Sequence, residues 1–347
     1  MIDRLRSFAR ALLARFRRKR AEPGRFVAGS RFAWRGWLSL NPWIWPSRDY
    51  LLYVPLAYGG WKRRPLLVML HGCRQTPEDF AAATRIAALA DRDGWLVLLP
   101  RQSARANAWS CWNWFDKATG AGRGEAAIVA AQVRAVRRRY RVHPRRIFVA
   151  GMSAGGCLAA VLGLRYPAQF AGVAAHSAVA AGAASDPVGA MRVLVTGAET
   201  AFEEIAAAAR AEAPPSALPV PLLVMHGGDD RTVVERNARQ LARQYLVLNG
   251  RLAAEALSPD ELPPPDRETR ERVADGREVA MSEYHDGART VVRVVRIGGL
   301  GHAWSGGDAA FPYNDPQPPD ATALLGAFVA EAIGQRKRGT IRWPWRA

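Results

Sequence analysis

Short apolar runs recur along the chain after residue 50, and longer segments with apolar residues at helical spacing separate them. Each run has the length of a strand, and its continuity indicates burial on both faces. The predicted strands are Leu51–Val54, Leu66–Leu70, Leu96–Leu99, Ile147–Ala150, Gly172–Ala175, Leu222–Met225 and Val291–Ile297. Strands that alternate with helices indicate an α/β fold, with a mostly parallel sheet covered by helices on both faces.

Helix signals lie between these strands. Thr76 and Pro77, followed by two acidic residues, predict a helix start. The helix is expected to run through Ala81–Ala90 and to end near Gly94. Further helices are predicted over Glu125–Tyr140, Ser153–Tyr166 and Asp320–Ile333. Residues 251–289 are rich in Asp, Glu, Arg and Pro, and this composition predicts a surface excursion.

The two ends of the chain differ from its body in charge. Of the formal net charge of +18, residues 1–26 carry +7 and residues 335–347 carry +5, which leaves +6 for the rest. Residues 2–16 place apolar side chains close to helical spacing among arginines, which predicts a short basic amphipathic helix. We therefore predict a basic, Trp-containing extension over 1–49, an α/β domain over 50–334 and a basic tail over 335–347.

Composition also bears on location and partners. The chain has no run of about 18 apolar residues, and arginines interrupt the apolar N-terminal segment, so neither a membrane span nor a signal peptide is expected. Read literally, the chain begins in the cytoplasm. The basic ends favour an anionic membrane or a polymer granule as a partner, with a solvated tail as the alternative. Nucleic acid is a weaker expectation, because no base-reading motif accompanies the charge.

The strongest chemical signal is a serine between a predicted strand and a predicted helix. The segment reads Gly151-Met152-Ser153-Ala154-Gly155. In a G-x-S-x-G turn the glycines avoid collisions while the serine is lifted above the sheet edge. The helix start presents N–H groups and a positive dipole end to a developing oxyanion. The pattern predicts Ser153 as a nucleophile and the N–H of Ala154 as an oxyanion donor; an ordinary glycine-rich turn is the alternative.

A serine nucleophile needs a general base. In proteins with this kind of nucleophile turn, the serine comes first in the chain, the acid second and the histidine last. His302 lies in a glycine-rich loop directly after the last predicted strand. His285 is a late competitor, but its polar surroundings indicate a solvated side chain. Asp229 and Asp230 both follow the strand Leu222–Met225, and either could orient the imidazole while the other turns the loop.

The second oxyanion donor should come from an early strand-to-helix loop. Leu66–Leu70 leads directly into His71, Gly72 and Cys73. Gly72 would let the backbone turn so that the N–H of Cys73 points at the substrate oxygen. His71 is predicted to be a structural residue that hydrogen-bonds the loop.

Taken together, these motifs resemble those of the poly(3-hydroxybutyrate) depolymerase family of esterases, relatives of feruloyl and acetylxylan esterases. The resemblance covers about residues 50–307 and rests on five motifs in order: 71–73 with 75–80, 111–115, 151–156, 226–227 with Asp230, and 301–307. It implies an α/β-hydrolase that needs no metal or organic cofactor. The family spacing favours Asp230 over Asp229, so Ser153, Asp230 and His302 form the implied triad.

The resemblance has further implications. The cysteines of the first two motifs look paired in the family, which implies a Cys73–Cys111 disulfide that braces the oxyanion loop. Trp112, Trp114 and Trp304 lie within the matching motifs, so we expect them to line an ester-binding groove, with plain core packing as the alternative.

The implied substrates are short-hydroxyacid polyesters and related esters, hydrolysed through an acyl-enzyme. A feruloyl or acetylxylan-type carbohydrate esterase is the alternative, and a surface-binding protein is the alternative from a different class. A peptidase or an acyl transferase on the same triad is a further competitor, because fold and triad do not fix the acyl acceptor. Many members of the family are exported.

Overall fold

The structure, a computed structural model, describes residues 24–32, 47–59, 61–199, 202–253, 260–273 and 276–334. Its strands over these ranges are β1 Arg25–Phe32, β2 Ser47–Val54, β3 Arg64–Leu70, β4 Leu96–Pro100, β5 Val142–Met152, β6 Gly172–His176, β7 Leu222–Gly227, β8 Arg267–Arg272, β9 Glu278–Asp286, β10 Arg289–Ile297, β11 Trp304–Ser305 and β12 Asn314–Asp315. Its helices are α1 Pro77–Ala83, α2 Ile86–Asp93, α3 Lys117–Gly120, α4 Gly124–Arg139, α5 Ala154–Arg165, α6 Pro187–Thr196, α7 Phe202–Glu212, α8 Glu235–Leu248 and α9 Ala321–Ala332.

One ten-stranded sheet organises these elements, in the order β1-β2-β4-β3-β5-β6-β7-β10-β9-β8. The six central strands, from β4 to β10, are parallel. Antiparallel strands extend both edges. The predicted α/β-hydrolase architecture is therefore confirmed, and the parallel strands bring their carboxyl ends to one edge, where the site loops gather.

Alternation along the strands divides the core into two layers. In β3, Leu66, Val68 and Leu70 join one buried cluster, whereas Leu67 and Met69 join the other. Helices α4, α5, α7 and α8 contribute to the first cluster, and α1, α2 and α9 contribute to the second. Helices thus cover both faces of the sheet, as the continuous apolar runs predict.

The helix predicted to follow Thr76 is two helices. Its start is confirmed, because the Thr76 hydroxyl accepts a hydrogen bond from the N–H of Asp79 at 3.1 Å. After α1 the Thr84 hydroxyl bonds to the carbonyl of Phe80 at 2.6 Å, and Arg85 takes a left-handed φ of +52°. The chain turns there before α2 begins.

The prediction for residues 251–289 was wrong in its second half. Strands β8 and β9 belong to the main sheet, where β9 pairs with β10 and β8 forms the edge. At the other edge β1 pairs with β2, so the sheet also reaches into the predicted N-terminal extension. The predicted helix over 2–16 and the C-terminal tail lie outside the described residues. None of the helices within the described ranges is long and apolar enough to span a membrane.

Candidate active site

Ser153 sits on a sharp turn between β5 and α5, in a left-handed conformation with φ of +53°. The backbone packs so closely here that the flanking residues have to be glycine. A Cβ added at Gly155 would lie 2.1 Å from the carbonyl oxygen of Leu70, and one added at Gly151 would lie 2.4 Å from the backbone of Gly155. The turn therefore holds the serine hydroxyl above the carboxyl edge of the sheet, the geometry that the G-x-S-x-G pattern predicts.

His302 and Asp230 meet at the same edge of the sheet. His302 Nδ1 lies 2.8 Å from Asp230 Oδ2. The other carboxylate oxygen of Asp230 accepts the N–H groups of Thr232 and Val233, each at 2.9 Å. Asp229 is exposed, and its own N–H donates to a backbone carbonyl. Because the Asp230 carboxylate accepts from Nδ1, Nε2 is the nitrogen of His302 left for a substrate.

The surroundings of this pair keep Asp230 ionised. Burial raises the pKa of Asp230. The hydrogen bond to His302, the positive charge of that ring, and hydrogen bonds from the Val233 N–H and the Ser177 hydroxyl outweigh burial and lower the pKa to about 2. Two further histidines are buried nearby. Burial lowers the pKa of His176 to about 3 and also lowers the pKa of His226. Both rings are therefore neutral near pH 7.

Two backbone N–H groups beside Ser153 are available to a ligand. In the part of the chain that the structure describes, neither the N–H of Cys73 nor that of Ala154 has an acceptor. The side chain of Gln75 stabilises the loop that carries Cys73, because its oxygen accepts the N–H of Gly72 at 2.8 Å. These two donors belong to the segments where an oxyanion hole is expected.

Ser153 and His302 face a cavity of about 310 Å³. Apolar and aromatic side chains form most of its wall, as in many small-molecule sites. Trp112 and Trp114 belong to its lining, but Trp112 is 0% exposed and Trp114 is 5% exposed, and both pack in the apolar core. Sequence reasoning missed the wall residues that lie outside the recognised motifs, among them the large side chains of Trp109, Met191 and Tyr313.

Residues 48–272 match the family described as Esterase PHB depolymerase. The chain belongs to this family. It is 29% identical over 188 residues to "Poly(3-hydroxyalkanoate) depolymerase C" of Paucimonas lemoignei, a match that covers 54% of this chain and 45% of that protein. It is 35% identical over 127 residues to "Feruloyl esterase B" of Neurospora crassa, covering 35% of this chain and 42% of the relative. The matches span less than half the length of these two curated relatives.

A solved structure shares the fold of this chain. The acetyl xylan esterase from Aspergillus awamori superposes with a TM-score of 0.60 at 20% identity, covering 80% of this chain and 94% of that one.

In this esterase-family chain, His71 braces the loop that carries Cys73. Its Nδ1 donates to the carbonyl of Gly72 at 2.8 Å, and its Nε2 accepts the N–H of Gln102 at 3.2 Å. The indole N–H of Trp112 donates to the carbonyl of His71 at 3.1 Å. Burial lowers the pKa of His71 to about 4, so the ring is neutral near pH 7 and performs the structural role expected from the sequence.

A disulfide between Cys73 and Cys111 joins the oxyanion loop to the wall of the cavity. The two cysteines are 38 positions apart in the sequence. The bond therefore fixes two segments that share no helix or strand. Among the described cysteines, Cys157 is a free thiol in the core, and burial raises its pKa to about 12.

Glu125, which sequence reasoning missed, holds the cavity wall around Trp112 and Trp114 from its buried side. Its fully buried carboxylate accepts the backbone and side-chain N–H groups of Asn113 at 2.7 and 2.9 Å and the side chain of Gln102 at 2.6 Å. Arg48 lies 3.6 Å away. Burial raises the pKa of Glu125, whereas Arg48 and the N–H donors favour the charged form. An acid in the first turn of α4 was the available signal, but its partners come from distant loops.

The assignment of Trp304 to the substrate groove was wrong. Trp304 is 1% exposed, and the edge of its ring system packs against Phe80. Its indole N–H donates to the Thr322 hydroxyl at 3.1 Å. Trp304, from the same motif as His302, is therefore a core residue and does not line the cavity. Trp109, which is 57% exposed and lines the cavity, is the third indole of the site.

Proposed function

We propose that this protein hydrolyses carboxylic esters through an acyl-enzyme on Ser153. The observation that carries the proposal is the 2.8 Å contact between His302 Nδ1 and Asp230, with His302 and Ser153 lining one apolar cavity. The unpaired N–H groups of Cys73 and Ala154 supply the second requirement of acyl transfer, a place for the oxyanion. Membership of an esterase family supports the same reaction.

The proposed cycle has two displacements. The Ser153 hydroxyl attacks the ester carbonyl while His302 Nε2 takes its proton, and the N–H groups of Cys73 and Ala154 stabilise the resulting oxyanion. The tetrahedral intermediate expels the alcohol, which takes the proton from His302. Water then loses a proton to His302 and attacks the acyl-enzyme, and the acid leaves as Ser153 regains its proton. Asp230 holds the imidazole tautomer and stabilises the imidazolium.

The proposed substrates are poly(3-hydroxybutyrate)-type polyesters, their oligomers and short acyl esters. Flat aromatic walls suit an aliphatic ester chain, and we assign this role to the exposed ring of Trp109, with Trp114 and the buried Trp112 packed behind the wall. The relatives named as feruloyl and acetylxylan esterases make esters of carbohydrates the nearest alternative. Amorphous polyhydroxybutyrate, its trimer, methyl ferulate, acetylated xylan and a peptide anilide, compared as substrates, would separate these classes.

A covalent probe tests the reaction itself. Diethyl p-nitrophenyl phosphate should release stoichiometric p-nitrophenol from the protein and abolish its turnover of p-nitrophenyl butyrate. Peptide mass spectrometry should place the diethylphosphoryl group on Ser153, the only hydroxyl assigned a base and an oxyanion site. Labelling of a different residue, or full turnover by the labelled protein, would contradict the proposal.

We also propose that the basic ends adsorb the enzyme to an anionic membrane or polymer granule. Their combined charge favours such surfaces, at about 1 kcal/mol for each Lys or Arg close to the surface. A variant limited to residues 24–334 should then lose cosedimentation with phosphatidylserine vesicles or polyhydroxybutyrate granules while it keeps its activity on p-nitrophenyl butyrate. Equal cosedimentation of the two proteins would show that the ends are solvated tails.

A further inference from the structure

Arg74 places an unneutralised cation at the mouth of the active-site cavity. Among the lining residues that belong to the described ranges, Arg74 and His302 alone have basic side chains, and none is Asp or Glu. The side chain of Arg74 is exposed, and no carboxylate in the described ranges pairs with it. Two arginines of the neighbouring cavity differ in this respect, because Arg101 pairs with Glu78 and Arg48 pairs with Glu125.

The backbone of Arg74 is held next to the proposed oxyanion donor, and its side chain stacks on Trp109. Arg74 directly follows Cys73, whose N–H is a proposed oxyanion donor. Its own N–H donates to the carbonyl of Trp109 at 2.7 Å, and its guanidinium lies 5.5 Å from the centre of the Trp109 ring. Stacking on an indole orients a guanidinium and leaves its N–H edge open to a carboxylate.

The positive charge at this face is concentrated on Arg74. A second cavity of about 470 Å³ shares Gln75 with the active-site cavity, and its wall carries both an exposed arginine, Arg105, and an exposed acid, Asp49. A substrate that is apolar at the scissile ester and anionic at one end would therefore match this face. Long-range attraction to such a face raises association rates and weakens as salt increases.

We infer that Arg74 selects esters that carry a free carboxylate about one repeat unit from the scissile carbonyl, as linear hydroxyacid oligomers do. The inference rests on the proposed ester hydrolysis and specifies its substrate. The last unit of the oligomer, which ends in the free carboxylate, is released as the hydroxyacid anion while its carboxylate binds Arg74. Acetyl and feruloyl esters of neutral sugars have no group to fill this position.

A matched pair of substrates tests the inference. The linear 3-hydroxybutyrate trimer and its methyl ester differ only in the terminal charge. Arg74→Ala should lower kcat/KM for the free acid by about tenfold and leave the methyl ester almost unchanged. Arg74→Lys should keep most of the preference, and Arg74→Glu should reverse it. Raising the ionic strength from about 0.01 M to about 1 M should reduce wild-type activity on the acid selectively.

The controls separate the inference from its premise. Arg289 is the first residue of β10, whereas the loop with His302 follows the last residue of this strand. Arg289→Ala removes the same charge far from the site, so it should not change the ratio of kcat/KM between the two substrates. An equal loss on both substrates in Arg74→Ala would show that Arg74 only supports Trp109, and would overturn the inference. Failure of the wild-type protein to hydrolyse p-nitrophenyl butyrate would instead refute ester hydrolysis itself.

Discussion

Replacing Ser153 with alanine is expected to lower kcat for p-nitrophenyl butyrate by about 10⁴- to 10⁶-fold, because the attacking oxygen is lost and only the oxyanion donors and binding remain. The change removes one hydroxyl from a turn whose conformation alanine adopts as readily as serine. Stability should therefore be unaffected. Initial rates on the ester, measured beside urea unfolding of the same preparation, check both halves of this expectation.

Ser110→Ala is the matched control for this variant. Ser110 also has a φ of +53° and lies in a loop close to the site, but it lines the neighbouring cavity and not the one with His302. Its hydroxyl has no assigned part in the reaction, so the control should keep the wild-type rate. If Ser153→Ala were as active as Ser110→Ala, Ser153 would not be the nucleophile.

Replacing Glu125 with alanine is expected to lower the free energy of unfolding by about 3–5 kcal/mol, because it leaves the buried Arg48 guanidinium without its carboxylate. The variant also removes the acceptor for Asn113 and Gln102, and these residues support the wall with Trp112 and the loop with His71. Activity per folded molecule should fall as well. Glu125→Gln keeps the shape and part of the bonding, so it should be less destabilised.

Glu78→Ala provides the comparison for Glu125. Glu78 also pairs with an arginine, Arg101, but half of its side chain is exposed. Exposed pairs contribute about 1 kcal/mol or less, so this variant should unfold almost like the wild-type protein in urea. Equal stabilities for Glu125→Ala and Glu78→Ala would mean that the buried carboxylate does not hold the wall.

The sequence predicts the central sheet well, because parallel strands buried on both faces must be apolar throughout. The same pattern does not reveal the edges of the sheet, because an edge strand is not buried on both faces and need not be apolar. Strand β8 reads Arg-Glu-Thr-Arg-Glu-Arg and exposes most of these side chains, as an edge strand does. In β9 the buried Glu283 pairs with Arg293 of β10 at 2.7 Å. A charged pair inside a sheet cannot be distinguished from a surface stretch without knowledge of the partner strand.

At the site, motif spacing brought Ser153, Asp230 and His302 to one edge of the sheet, because chain order and strand ends determine where loops emerge. Side-chain direction was not predictable in the same way. Trp304 is two residues from His302 and points into the core, whereas Trp109 belongs to no recognised motif and lines the cavity. Which face of a loop a residue presents depends on packing against distant elements.

The close approach of α5 to β3 has a consequence for altering this protein by substitution. At Gly155 the peptide atoms of the nucleophile turn touch those at the end of β3, with no side chain between them. This main-chain contact helps to set the spacing between the hydroxyl of Ser153 and the loop of Cys73, together with the side chains that brace that loop. Substitutions at Arg74, Trp109 and Met191, which line the cavity, should therefore leave this main-chain contact in place while they change the shape and charge of the wall.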